Sequence, residues 1–80
     1  MPYWTFRTPH GLWTIVQRRD GLWLPMLDAD DSLGPYRTPQ RALEALCENQ
    51  TFGTVGNIDT SAIGLPDELS DWDRHNGQRP

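Results

Sequence analysis

The sequence has no lysine, a single cysteine and two histidines, and no apolar run approaches the roughly 20 residues that span a bilayer. Each shortage excludes something. Cys47 alone cannot form an internal disulfide. A structural zinc site takes about four Cys or His ligands, and Cys47, His10 and His75 fall short of that. No cofactor or metal is therefore expected. The N-terminus has no basic stretch followed by an apolar one, so no secretory leader and no membrane association are expected. A free thiol suits the reducing cytoplasm, which is the expected location.

What is present is aromatic. Trp4, Trp13, Trp23 and Trp72 stand beside Tyr3, Tyr36, Phe6 and Phe52 in a chain of 80 residues. A chain this short buries only about 60–65% of the surface its unfolded form exposes. Without staples, its stability must come from large apolar side chains or from a partner subunit.

The net charge of −4 is unevenly distributed. Residues 1–41 carry five Arg against four Asp, and residues 42–80 carry two Arg against seven acids. The acidic balance argues against a general affinity for nucleic acid, which needs basic side chains to release counterions.

Hydrophobic patterning predicts an α+β domain over residues 1–73: a three-stranded antiparallel β-meander packed on one α-helix, with a short C-terminal helical turn. Tyr3–Arg7 and Leu12–Arg18 alternate, with Trp4 and Phe6 on one side of the first and Trp13 and Ile15 on one side of the second. Arg19-Asp20-Gly21 is a hairpin signal, since Asp-Gly suits positive φ. Leu22–Leu27 is the third strand, and Pro25 marks it as an edge or a bulge. Thr38 is placed to cap a helix with Pro39 in its first turn, running to about Asn49. Ala42, Leu43, Leu46 and Cys47 share one face of it. Residues 51–58 are glycine-rich, with room for one short extended piece. Residues 65–69 suggest a helical turn, with Leu69 and Trp72 pinning it to the core. Trp72 and Phe52 are expected to close the ends of that core. Residues 74–80 read as a disordered tail.

One helix covers only one face of a sheet, and the second hairpin's register decides what the other face shows. A two-residue turn at Asp20-Gly21 places Trp23 and Leu27 with Leu12 and Val16. A three-residue turn ending on a left-handed Gly21 places Trp23 with Trp13 and Ile15, and leaves Leu22, Leu24 and Met26 with Leu12 and Val16. The second register is preferred because it gathers the tryptophans under the helix. Either way, apolar residues face away from the helix. They form a contact surface, or residues 51–72 wrap round to cover them.

The chemistry-bearing residues offer little to a catalyst. Asp28 to Gly34 opens like a calcium loop, but its sixth position is Leu33 and its twelfth is Pro39, where the pattern needs Gly and Glu. Cys47 lies near the helix C-terminus on the apolar face, the reverse of the setting that activates a thiolate. His10 and His75 have no neighbouring Ser or Cys in sequence to suggest a triad. Gly53 to Gly56 lacks the Gly-Lys-Ser/Thr ending of a phosphate loop. Arg7, Arg18, Arg19, Arg37 and Arg41 accompany the aromatics, an arrangement that could stack single-stranded nucleic acid. Asp59, Asp67, Glu68, Asp71 and Asp73 form a base-free acidic stretch, suited to a solvated face or to docking on a basic partner surface.

Gly11-Leu12-Trp13-Thr14-Ile15, Arg19-Asp20-Gly21, the run from Leu33 to Glu44 and the run from Ile63 to Trp72 together resemble a group of small uncharacterised proteins of proteobacteria and their mobile elements. The resemblance covers about nine-tenths of the chain. That group has no established activity, so the resemblance carries over no functional residue. In size and acidity the chain is also similar to phage-encoded inhibitors of bacterial defence.

The expectation is a non-enzymatic protein-binding module, an inhibitor or adaptor acting on a host protein complex. Leu12, Val16, Leu22, Leu24 and Met26 would meet a target protein or a second copy, with Asp59, Asp67, Glu68, Asp71 and Asp73 as the charged rim. The alternative is a small single-stranded nucleic-acid binder using the arginine and aromatic sheet face.

Overall fold

Alternation along the first third of the chain produces two paired strands, β1 (Pro2–Thr8) and β2 (Gly11–Gln17), in register Trp4 opposite Ile15 and Phe6 opposite Trp13. The computed structural model describes residues 2–30, 33–53 and 58–76. A second hairpin adds β3 (Trp23–Leu27), with Trp13 opposite Leu27 and Gln17 opposite Trp23. Its loop closes through Arg18 and Leu22, whose backbones bond at 2.7 Å, which leaves Arg19, Asp20 and Gly21 as the turn. Gly21 sits at φ +87°, where a Cβ is strained. This is the three-residue register, and it puts Trp23 on the same face as Trp13 and Ile15.

The sheet has four strands, not the expected three. β4 (Asp73–Asn76) pairs antiparallel with the start of β1, giving the order β3-β2-β1-β4. Arg74, His75 and Asn76, expected in a loose tail, are therefore strand. The stacking of His75 on Tyr3 (centroids 4.8 Å apart, planes 13° from parallel) and its 2.9 Å hydrogen bond to Thr5 Oγ1 add side-chain contacts to the backbone pairing. Polar composition hid this strand, because a solvated edge needs no apolar alternation. Residues 77–80 lie outside the described residues, as does most of the extended piece expected within 51–58.

Pro25 sits on an edge strand as its missing donor requires. The amides of Trp23 and Leu27 point away from β2, to Tyr36 O (2.6 Å) and Asp30 O (3.2 Å). Pro25 lies between them at the same parity, so the β2–β3 ladder loses no bond.

Helix α1 (Pro39–Cys47) begins where Thr38 accepts a hydrogen bond from the Arg41 amide at 3.0 Å. Ala42, Leu43, Ala45 and Leu46 are buried. Leu43 and Leu46 pack into one core with Trp13, Ile15, Leu27, Leu33, Leu65 and Trp72, while Trp4, Phe6 and Trp23 lie against it. Buried indoles must place their N–H groups. Trp13 donates to Thr8 Oγ1 at 2.9 Å and Trp72 to the Pro66 carbonyl at 3.0 Å. The expected helical turn falls slightly later, as one turn of 3₁₀ helix at Leu69–Asp71, with another at Thr60–Ala62. No helix among the described residues is long and apolar enough to cross a membrane.

After α1, five described apolar residues join the core on the helix side. Leu65 and Trp72 enter the core, and Ile58, Ile63 and Leu69 pack on it. On the opposite face, register aligns His75, Tyr3, Val16 and Leu24 in one row and Asp73, Thr5, Thr14 and Met26 in the next. Tyr3, Thr14, Leu24 and Met26 on this face are buried.

Candidate functional site

The apolar contact surface expected on the second sheet face is not exposed as such. Leu24 and Met26 are each only 7% exposed, and Leu12 and Val16 are half-buried. Leu22 departs from them altogether and lines a groove beyond the edge of β3.

Local sequence builds that groove. Gly34 lets the chain return against β3, because a Cβ there would lie 2.8 Å from Pro25 Cδ and 3.0 Å from Leu24 Cδ1. Two residues on, Tyr36 exchanges both backbone hydrogen bonds with Trp23, at 2.6 and 2.7 Å. Thr38 then starts α1, whose first turn carries Arg41. After the helix, the Phe52 amide donates to the Leu33 carbonyl at 3.2 Å, which places Phe52 beside Tyr36. The result is an open cleft of about 400 Å³ lined by Leu22, Pro35, Tyr36, Arg37, Arg41 and Phe52.

Its aromatic wall is a stacked pair, Tyr36 and Phe52, with centroids 5.1 Å apart and planes 23° from parallel. The Tyr36 hydroxyl donates to the Gln50 carbonyl at 3.3 Å, and burial raises its pKa, so the phenol stays protonated. Phe52 is 74% exposed, the large apolar side chain that the fold leaves in solvent among the described residues. The core position expected for it is thus corrected. Its neighbours Thr51 and Gly53 offered no apolar periodicity that would bury it, and that was the signal in the sequence.

Charge at this end of the molecule is basic. Arg37 is exposed and makes no ion pair among the described residues. Arg41 approaches Glu44 at 3.7 Å, with the arginine largely and the glutamate partly in solvent, a pair worth little. The hairpin turn bearing Arg18 and Arg19 leads into the same end of β3. Arg18 pairs with Asp20, whose pKa is lowered mainly by that hydrogen bond and then by the Leu22 amide.

The acidic stretch lies elsewhere. Asp67, Glu68, Asp71 and Asp73 are exposed, and none makes an ion pair among the described residues. Asp59 has a local task, accepting from the Ser61 amide at 3.0 Å to cap the first 3₁₀ turn.

Asp28 and Cys47 have structural partners. Asp28 accepts from the Leu12 amide at 3.0 Å, closing the end of the β2–β3 ladder. The Cys47 thiol lies 3.8 Å from the carbonyls of Leu65 and Pro66, and burial, then Asp67 and Glu48, raise its pKa. Such a thiol is a poor nucleophile. Among the described residues, no three His, Cys, Asp or Glu side chains converge on a point that could hold a metal ion. Comparison with protein-family models, with curated proteins and with solved structures returns no match for this chain.

Proposed function

We propose that the protein is a non-enzymatic binding module that engages a protein partner through the groove between Leu22, Pro35, Tyr36, Arg37, Arg41 and Phe52. The observation that carries this reading is Phe52, which is stacked on Tyr36 yet 74% exposed. Leaving such a ring in water costs a small domain part of its scarce apolar burial. Aromatic rings with flanking arginines are the residue types that dominate binding energy at protein interfaces. The acidic stretch at residues 67–73, remote in sequence from the groove, would bias the orientation of a charged partner. Small size and net acidity, shared with phage-encoded inhibitors of bacterial defence, support a role as an inhibitor or adaptor acting on a host protein complex.

The test is purification of the tagged protein from its native host beside a Phe52→Ser variant. The expected result is a protein recovered in stoichiometric amount with the wild type and lost with the variant. Recovery of nucleic acid in place of protein would transfer the reading to a single-strand binder, in which bases stack on Phe52. Equal recovery with both proteins would remove the groove from the account.

A further inference from the structure

The groove combines two features that together select a ligand chemistry. Its walls are mostly apolar, from Leu22, Pro35, Tyr36 and Phe52, and its charged groups, Arg37 and Arg41, are of one sign. Arg37 has no carboxylate among the described residues, and Arg41 holds Glu44 only loosely at 3.7 Å. One guanidinium without an ion pair among the described residues and one loosely paired thus stand beside an open aromatic ring, on a chain whose net charge is −4. The charge lining the groove is therefore opposite in sign to the net charge of the chain, which favours contact of an acidic partner at this end.

We infer that the groove takes an acidic linear segment of a partner protein, an aromatic or long aliphatic anchor flanked by carboxylates. The anchor packs on the exposed face of Phe52 against Leu22 and Pro35. The carboxylates accept hydrogen bonds from Arg37 and Arg41, whose planar guanidinium groups match a carboxylate in two-pronged fashion. Arginine also stacks on aromatic faces, so Arg37 and Arg41 can hold the anchor and the charge together. A nucleic acid would present phosphates to the same arginines. It would also bring a continuous line of negative charge against a net-negative protein, without the basic groove that tracks a strand.

This inference rests on the groove being the docking site, and the experiment separates the two. A display library of random linear peptides is selected on the wild-type chain. The selected peptides are then titrated against wild type, Phe52→Ala, and Arg37→Gln combined with Arg41→Gln, with an oligothymidylate as a further ligand. Phe52, Arg37 and Arg41 are all exposed, so these variants keep the fold, checked by their unfolding midpoints. The expected result is enrichment of peptides carrying an aromatic or Leu anchor beside Asp or Glu. Their affinity should fall at least about tenfold in either variant, and weaken as salt rises from about 0.05 to about 0.5 M, as screening of exposed charges requires. Peptides that are neutral or basic, yet lose binding in Phe52→Ala, would overturn the acidic chemistry and leave the groove standing. Peptides that bind Phe52→Ala undiminished would overturn the groove itself. Tighter binding of the oligothymidylate than of any selected peptide, or a selection that enriches nothing, would overturn the inference.

Discussion

Phe52 lies face to face with Tyr36 at 5.1 Å, and its other face is open to solvent. The inner ring of the pair is anchored and the outer ring is presented. Tyr36 is fixed by two backbone bonds to Trp23 and by its hydroxyl on Gln50. A rigid aromatic anchor of this kind loses little conformational entropy on binding.

Exposure separates Phe52 energetically from the core. Phe52→Ala should cost only about 0.5–1.5 kcal/mol, the scale of one aromatic pair. Leu46→Ala, at a position with no exposed surface, should cost about 2–5 kcal/mol. Chemical denaturation of both variants checks this, and an equal loss would mean that Phe52 belongs to the core.

Two glycines should fail for different reasons. At Gly34 an added methyl meets Pro25 Cδ at 2.8 Å, so Gly34→Ala should cost about 1–3 kcal/mol through overpacking and should loosen the groove. At Gly21 the nearest atom is 4.0 Å away, so Gly21→Ala pays only for its left-handed backbone, about 1–2 kcal/mol. Amide exchange at Tyr36 should accelerate in the first variant and not in the second.

Much of the architecture was legible in the residues. Asp20-Gly21 announced the hairpin, Thr38-Pro39 the helix start, and Pro25 the edge strand, each because one backbone geometry suits that residue. β4 was not legible, because Asp73-Arg74-His75-Asn76 has no apolar residue and its pairing depends on the distant Pro2–Thr5 segment. The groove was hidden for a similar reason. Leu22, Tyr36, Arg41 and Phe52 meet only once the chain returns along β3. The burial of the sheet face opposite the helix was not legible either, because alternation tells which side a residue faces, while burial depends on neighbours across strands. Leu24 and Met26 are shielded despite lying opposite the helix.

The thiol gives a pH dependence. Cys47 has a raised pKa in the folded protein, chiefly from burial. The folded state therefore holds its proton at pH values where the unfolded chain has lost it. That contribution to stability is complete below the unfolded thiol pKa and is lost as pH rises toward the folded value. Stability should decline over that alkaline window, and Cys47→Ala should make the slope shallower, leaving the part that the raised Tyr36 pKa contributes at higher pH. Iodoacetamide at neutral pH should label the folded chain far more slowly than the unfolded one. Equal labelling rates would contradict the burial of the thiol.

β4 should matter to the sheet although its side chains are polar. Replacing His75 by Ala removes both the stack on Tyr3 and the hydrogen bond to Thr5, and should cost about 1–2 kcal/mol. The variant should show faster amide exchange in Tyr3 and Thr5. Unchanged exchange there would mean that β4 does not hold β1.

The most direct measurement places a photo-reactive benzoylphenylalanine at position 52 or at position 16 and irradiates the protein in cells of its native host. Position 52 presents the outer ring of the groove, and position 16 lies on the sheet face opposite the helix. The account predicts one discrete protein adduct from position 52, abolished when Arg37 and Arg41 are both Gln, and none from position 16. An adduct from position 16 alone, or one from position 52 that ignores the two arginines, would contradict it.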